Sequence, residues 1–424
     1  MKKYIRRVVD DELDSALGYA GAVVIRGPKA CGKTQTALQR AKSVLRVDTD
    51  PNVTNLMAID PKALLDGDTP RLLDEWQVQP KLWDYVRHEV DDRTGKGQFI
   101  LAGSSTPDES SLTHSGAGRF AVLPMRTLSW QELGYSDGYT SLNNLLGDST
   151  KIDTKEYKIP VQEIIKRLVI GGWPELADVE EASARKINAS YIKLLAEVDM
   201  SRVTNVRRDP VKVRHLLQSI ARNVSTITEV TTFIKDIQAV ENEDLSRPTV
   251  TDYLDTLDRL MVIEDQPAWN THIRSSATLR KTPKRHFTDA SLAVAALGLD
   301  SASLFNDLNY TGFLFESQVI HDLRVYAQTL DAEVYYYRDS SGLEVDAIVQ
   351  KPNGEAAAFE VKLGEGFVEE AAKNLLSFAG NLDTSKVKIT SLNVITGSGY
   401  AYTRPDGVNV IPLGALGVRQ GEAK

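Results

Sequence analysis

Residues 27–34 read Gly27-Pro28-Lys29-Ala30-Cys31-Gly32-Lys33-Thr34, a complete G-x-x-x-x-G-K-[ST] pattern. An apolar run, Ala22-Val23-Val24-Ile25, precedes it, and a helix-like stretch, Gln35 to Val44, follows. Strand, glycine-bearing loop and helix in that order are the setting in which such a loop wraps phosphate. The glycines let backbone N–H groups close around phosphate oxygens, and the helix N-terminus adds a favourable dipole. Residues Gly27 to Gln35 then form a nucleotide cradle. Lys33 reaches the β- and γ-phosphates, and Thr34 ligates Mg²⁺. ATP or ADP with Mg²⁺ is the expected ligand. The competing reading is a glycine-bearing turn that matches by chance.

The chain of 424 residues is too long for one core, and length alone suggests about three domains. A net charge of −8 means that any nucleic-acid contact needs a local basic patch. Cys31 is the one cysteine, which excludes an intramolecular disulfide framework and a cysteine-based metal site. It sits in the loop beside Lys33, a setting that can favour a thiolate, but a small residue that fits is the preferred reading. The N-terminal Lys2-Lys3-Tyr4-Ile5-Arg6-Arg7 leads into Val8-Val9 and then acids, not into the apolar core of a signal peptide. No uninterrupted apolar run approaches membrane-spanning length. A cytoplasmic protein without membrane contact is expected.

Downstream, Arg71-Leu72-Leu73-Asp74-Glu75 ends a short apolar strand on two acids. Open α/β sheets place ligands at that edge. Asp74 would hold Mg²⁺ and Glu75 would polarise the attacking water. A solvated acidic turn is the alternative. Gln98-Phe99-Ile100-Leu101-Ala102-Gly103-Ser104-Ser105 is a second strand with a polar end, whose hydroxyls could sense the γ-phosphate. Pro80 to Val90 reads as an amphipathic helix with Trp83 in the core. Arg119, behind Gly116 and Gly118, is the preferred arginine finger over Arg126, and a surface salt bridge is the bland alternative.

The stretches GPKACGKTQTA, LLDEWQ, LAGSSTP and HSGAGRF, followed by MRTLSWQELG, resemble the AAA-superfamily ATPases of the AAA_14 type, which carry a C-terminal domain called DUF4143. The resemblance implies a five-stranded parallel core with Lys33 and Thr34 on phosphate and Mg²⁺, Asp74 on Mg²⁺, and Glu75 as catalytic acid. It also implies Ser104 or Ser105 as sensor and, through trans arginine fingers, a homo-oligomer such as a ring. Gly171-Gly172-Trp173-Pro174-Glu175 resembles the G-x-P element of related signal-transduction ATPases, which makes Pro174 a nucleotide contact. A simple interhelical turn gives the same residues.

Residues 161–235 show helical periodicity, with Ile164, Ile165, Leu168 and Val169 in one stripe and Tyr191, Leu194, Leu195 and Val198 in another. Further helices are expected over Val211 to Ala221, over Ser225 to Asp236 with Ser225 or Thr226 as cap, and over Ser246 to Leu260. A strand-like ribbon from Met261 to Phe287 follows. Three helices and a hairpin read as a winged helix. Arg202, Arg207, Arg208, Lys212 and Arg214 form one basic cluster, and Arg274, Arg280, Lys281, Lys284 and Arg285 another. They point to DNA contact, whereas the acids of the third helix favour a protein-binding module.

Phe313 to Leu330 reads as a helix, followed by strands over Glu333 to Arg338, Leu343 to Val349 and Ala356 to Lys362, with turns at Ser340-Ser341-Gly342 and Pro352-Asn353-Gly354. Glu360 and Lys362 stand two apart and project on one face. This order resembles the PD-(D/E)XK nuclease superfamily, with Glu316 as the helix acid, Asp346 as the motif aspartate and Glu360-Val361-Lys362 as the E-x-K. The resemblance implies Mg²⁺ held at Asp346 and Glu360, and phosphodiester hydrolysis. A domain that binds without cutting, or an interior Glu360–Lys362 ion pair, are the alternatives.

The expected fold class is α/β: a P-loop NTPase parallel-sheet core over 1–150, a helical and winged-helix middle over 151–295, and a restriction-endonuclease-like α/β domain over 296–424. The expected function is a Mg²⁺-dependent ATPase acting on duplex or branched DNA. The runner-up is an ATP-dependent assembly switch that does not cleave DNA.

Overall fold

A computed structural model describes residues 3–103, 115–147, 151–202, 208–241, 246–270, 282–383 and 387–419. The chain groups into two compact units. One comprises Met1–Thr127 with the segments Val198–Arg207 and Asp255–Val262, and the other holds the remainder.

The first unit is built on a five-stranded sheet in the order β2-β3-β4-β1-β5. Its strands are β1 (Ala22–Arg26), β2 (Ser43–Arg46), β3 (Arg71–Asp74), β4 (Phe99–Gly103) and β5 (Phe120–Pro124), all paired in parallel. The apolar runs of β1 and β4 are buried along almost their whole length, as central parallel strands covered on both faces require. The helix after the loop is shorter than expected. It spans Lys33–Leu38, and Ser43-Val44 starts the edge strand β2 instead of ending the helix. Leu82–Asp92 is the expected amphipathic helix, with Trp83 buried against Trp76 and Phe120.

The second unit begins at Leu128, not after residue 150. The physical reason is local. The Leu128 N–H donates to Gly172 O at 2.7 Å, and the Trp130 N–H donates to the buried Asp322 carboxylate at 3.1 Å. The short strand β6 (Thr140–Ser141) then pairs with a strand near residue 416. Next come β7 (Lys155–Tyr157) and the helices Val161–Ile170 and Glu181–Leu194. Of the two apolar stripes expected here, Leu194 faces solvent.

Helices Pro210–Arg222, Val230–Glu241 and Arg247–Arg259 precede an antiparallel ribbon of β8 (Ile263–Gln266) and β9 (Lys284–Phe287). An isolated bridge joins Ile227 to Lys284. Ser225 does not cap a helix. Its φ is +61°, and its hydroxyl donates to Phe313 O at 2.9 Å, so the helix starts later, at Val230. Arg207, Arg274, Arg280 and Lys281 lie outside the described residues.

After the helix Leu308–Gln328 come β10 (Glu333–Arg338), β11 (Glu344–Gln350), β12 (Glu355–Lys362), the helix Val368–Gly380, β13 (Lys388–Thr396), β14 (Gly399–Thr403), β15 (Asn409–Pro412) and β16 (Leu416–Gly417), the partner of β6. A seven-stranded sheet runs β10-β11-β12-β13-β15-β14-β7. Strands β10, β11 and β12 pair antiparallel, and β12 pairs in parallel with β13 through the intervening helix.

Gly171 and Gly172 are fixed by close approach. Gly171 has φ +84°, and a Cβ on Gly172 would stand 2.3 Å from Leu128 O. Because that neighbour is backbone, Gly172→Ala is expected to destabilise the second unit by about 2 kcal/mol. Thermal unfolding measures this, and an unchanged midpoint would disprove the close packing.

Candidate functional site

The loop leaves β1 at Gly27 and turns through two left-handed residues, Ala30 at φ +64° and Gly32 at φ +103°. A Cβ on Gly27 would stand 2.2 Å from Met125 O, so only glycine lets the loop lie against the end of β5. The buried Lys33 ammonium donates to Gly27 O at 2.9 Å and Pro28 O at 2.8 Å, which centres it in the curl of the loop. Cys31 is fully buried against Met125 O, as a small residue that fits. Lys29 pairs with Asp199.

Parallel register carries Asp74 to the same edge. Asp74 ends β3 opposite Ala102, and Arg26 ends β1 opposite Gly103. The Thr34 hydroxyl donates to Asp74 Oδ1 at 2.8 Å. Burial pushes the Asp74 carboxyl above the usual carboxylate range, and the Thr34 bond opposes this. A hydroxyl and a carboxylate converging beneath a glycine cradle are hard oxygen donors that suit Mg²⁺ beside a nucleotide phosphate.

Glu75 follows in the left-handed region at φ +53°. Such a conformation costs on the order of 1–3 kcal/mol in a non-glycine residue and gathers at working sites. The Gln77 amide donates to its carboxylate. Gln77 in turn abuts the end of β4, where a Cβ on Gly103 would meet its Oε1 at 2.3 Å. The sensor candidates Ser104 and Ser105 lie outside the described residues.

The two arginines separate cleanly. Arg119 precedes β5 at the sheet edge opposite the loop and pairs with Asp91 at 2.6 Å, partly exposed. One strand of about 16 Å divides that edge from the loop, so Arg119 does not serve the loop of its own chain. Arg126 follows β5 at the loop's edge. Sequence reasoning missed Arg7. Its buried guanidinium donates to Cys31 O at 2.9 Å, Arg126 O at 2.8 Å and Thr127 O at 3.2 Å, tying the loop to the end of β5. Nothing in its basic N-terminal neighbourhood signals this. Pro174 opens a short turn, Pro174–Leu176, in the second unit, where Trp173 Nε1 donates to Ser291 Oγ and Gly172 N to Asp289.

A second cluster forms in the second unit. Glu316, Asp346, Glu360 and Lys362 do converge. Asp346 accepts from Val361 N at 2.9 Å, Glu360 accepts from the Asn374 amide at 2.6 Å, and Lys362 stands 3.5 Å from Glu360. Glu344, Asp346, Glu360, Lys362 and Asn374 line a cavity of about 440 Å³. Sequence reasoning missed Glu344, Asn374 and above all Lys284, whose Nζ lies 2.7 Å from Glu344, 3.0 Å from Glu316 and 3.6 Å from Asp346. Burial and then the charge of Asp346 push Glu316 up to about 8 and Glu360 up to about 9. Burial opposes the charge on Lys284, and the three carboxylates outweigh it, so its proton is held well above the ordinary lysine range. Among the described residues, no three His, Cys, Asp or Glu side chains are grouped to hold a metal ion. The pair Asp346 and Glu360 is therefore a two-carboxylate arrangement.

The glycine loop and the five-stranded parallel sheet lie within residues 20–134, which match a family described as an AAA domain. Residues 161–303 match a domain of unknown function, DUF8612, and residues 311–416 match another, DUF4143. The chain is similar to the uncharacterized proteins Mb2031c of Mycobacterium bovis and Rv2008c of Mycobacterium tuberculosis. Each is 23% identical over 363 residues, covering 84% of this chain and 74% of the relative. Among solved structures it is similar to the Aeropyrum pernix Orc1 protein in complex with DNA, at 14% identity and TM-score 0.30, over 70% of this chain and 93% of that one. A Thermotoga maritima RuvB mutant matches at 17% identity and TM-score 0.26, over 61% of this chain and 88% of that one.

The raised glutamic acids set a pH dependence. Folded Glu316 and Glu360 keep protons that the unfolded chain releases, so their contribution to stability is complete in acid. It declines above the ordinary glutamate range and is lost as pH rises through about 8 and about 9. Thermal unfolding of the second unit is expected to fall from about pH 6 to about pH 9, with Glu316→Gln flattening the decline. A wild-type profile flat over that window would contradict this.

Proposed function

We propose that the first unit binds ATP at residues 27–35 and hydrolyses it. The observation that carries this reading is the convergence of Lys33, Thr34, Asp74 and Glu75 at one sheet edge. Lys33 would turn from the loop carbonyls to the β- and γ-phosphates, Thr34 and Asp74 would hold Mg²⁺, and Glu75 would orient the attacking water. Bound there, Mg²⁺ supplies neutralising charge to the phosphate oxygens. Ser104 or Ser105 as sensor completes the proposal. Lys33→Ala is expected to weaken nucleotide binding. Glu75→Gln is expected to keep binding and lose about 10²–10³-fold in turnover. Full hydrolysis in Glu75→Gln, measured as phosphate release, would remove the assignment.

We infer further that hydrolysis serves a DNA transaction, in a cytoplasmic homo-oligomer. No helix of the described residues is long and apolar enough to cross a membrane. The order of three helices, the Ile227 bridge and the β8–β9 ribbon supports a winged helix. The order of helix, three antiparallel strands, helix and parallel strand supports a restriction-endonuclease-like domain around Glu316, Asp346, Glu360 and Lys362.

One observation favours the second reading, a nucleotide-controlled assembly switch. Several basic residues assigned to DNA are engaged internally. Arg208 forks onto Asp252, Arg285 pairs with Asp265, Arg214 with Glu197, and Lys284 is buried among acids. ATPase rates with and without duplex and four-way-junction DNA at low salt separate the two. The DNA reading expects stimulation, and the switch expects nucleotide-dependent oligomer size alone. In either case Arg119, partly exposed and paired with Asp91 on the edge away from its own loop, suits a neighbour's nucleotide. Arg119→Ala is expected to keep nucleotide binding and lose hydrolysis, and undiminished turnover would exclude it as the finger.

A further inference from the structure

The lysine at the heart of the acidic cluster comes from outside the strands that carry the acids. Lys284 begins β9, on the ribbon, while Glu344 and Asp346 lie on β11 and Glu316 on the long helix. It is 2% exposed. A buried ammonium is tolerated only when paired, and here three carboxylates surround it at 2.7, 3.0 and 3.6 Å.

The ribbon that delivers it is bolted down. Gln266 donates to Tyr335 O and Asp346 O at 2.9 Å each, and its carbonyl oxygen meets His286 Nε2 at 3.0 Å. Arg324 pairs with Glu264 at 3.0 Å, and Trp269 N donates to Tyr336 O at 2.6 Å. Lys284 is thus a fixed part of the cluster.

We propose that Lys284 is the resident cation of this cluster. It fills the space between Glu316, Glu344 and Asp346, so the acids take a hard divalent cation only when the lysine is removed. Mn²⁺ or Mg²⁺ needs carboxylate oxygens at about 2.0–2.2 Å with its water shell beside them. The ammonium excludes such an ion twice, by volume and by like charge in a poorly screened interior. Lys284 pairs with Glu316, Glu344 and Asp346, Arg338 stands 3.9 Å from Glu344, and Lys362 stands 3.5 Å from Glu360. The acids are therefore paired by cations of the chain itself, and the domain is a binding fold that does not cut by a metal mechanism. This inference is independent of what the first unit does with nucleotide, and it favours binding over cutting for the second unit.

The test is a Mn²⁺ titration of the nucleotide-free full chain, with free Mn²⁺ read by electron paramagnetic resonance. Wild type and Asp346→Asn are expected to bind equal numbers of ions. Lys284→Ala is expected to bind one more Mn²⁺ per chain, with a Mn²⁺-dependent rise in its unfolding temperature. The double variant Lys284→Ala with Asp346→Asn is expected to lose that ion. Loss of an ion on going from wild type to Asp346→Asn would overturn the proposal, whether or not Lys284→Ala folds. So would a folded Lys284→Ala that gains none.

Discussion

Everything at the first site depends on β1 being paired on both sides in parallel register. A strand between β4 and β5, covered on both faces, must be apolar throughout and must deliver its chain at one edge of the sheet. The same register brings Asp74 to that edge from β3. The loop, its lysine and the acids therefore meet without any long side chain bridging a gap. The tight curl at Gly27 and Gly32 follows, because β5 ends against the loop and leaves no room for a Cβ at Gly27.

The second unit is organised by a different constraint, the pairing of charge in a dry interior. The helix Leu308–Gln328 is buried on nearly every side yet carries Glu316, Gln318, His321, Asp322 and Arg324. Each is engaged: Asp322 by Gln318, His321 and the Trp130 N–H, Arg324 by Glu264, and Glu316 by Lys284. These bonds select which segments may lie against the helix. They explain why residues from Leu128 onward and the β8–β9 ribbon belong to this unit.

Much of this was legible in the sequence. The strands β10, β11 and β12 were placed to within a residue, because short apolar stretches between glycine turns leave little choice. The loop and the Asp74-Glu75 pair were legible because their chemistry is local. The edge strand β2 was not. Ser43-Val44-Leu45-Arg46 is half-exposed and reads as the tail of the preceding helix. Lys284 shows the deeper reason for the misses. Its charge invites a phosphate, and nothing nearby in sequence reveals that acids up to 62 residues away in the chain close around it. Arg7 and Asn374 were invisible for the same reason. The partners of polar side chains are decided by tertiary neighbours, whereas turns and strands are decided by the chain itself.

The small pairing of β6 with β16 bears on how the protein comes into being. Synthesis from the N-terminus supplies all five strands of the first sheet once residue 124 has emerged. The second unit cannot close until residues 416–417 reach Thr140–Ser141, and β7 must wait for residues 399–401. Contacts so distant along the chain form late, and the apolar edges awaiting them are exposed meanwhile. On the ribosome this chain carries a finished parallel sheet ahead of a long unfinished second unit. That interval is when it most needs protection from aggregation.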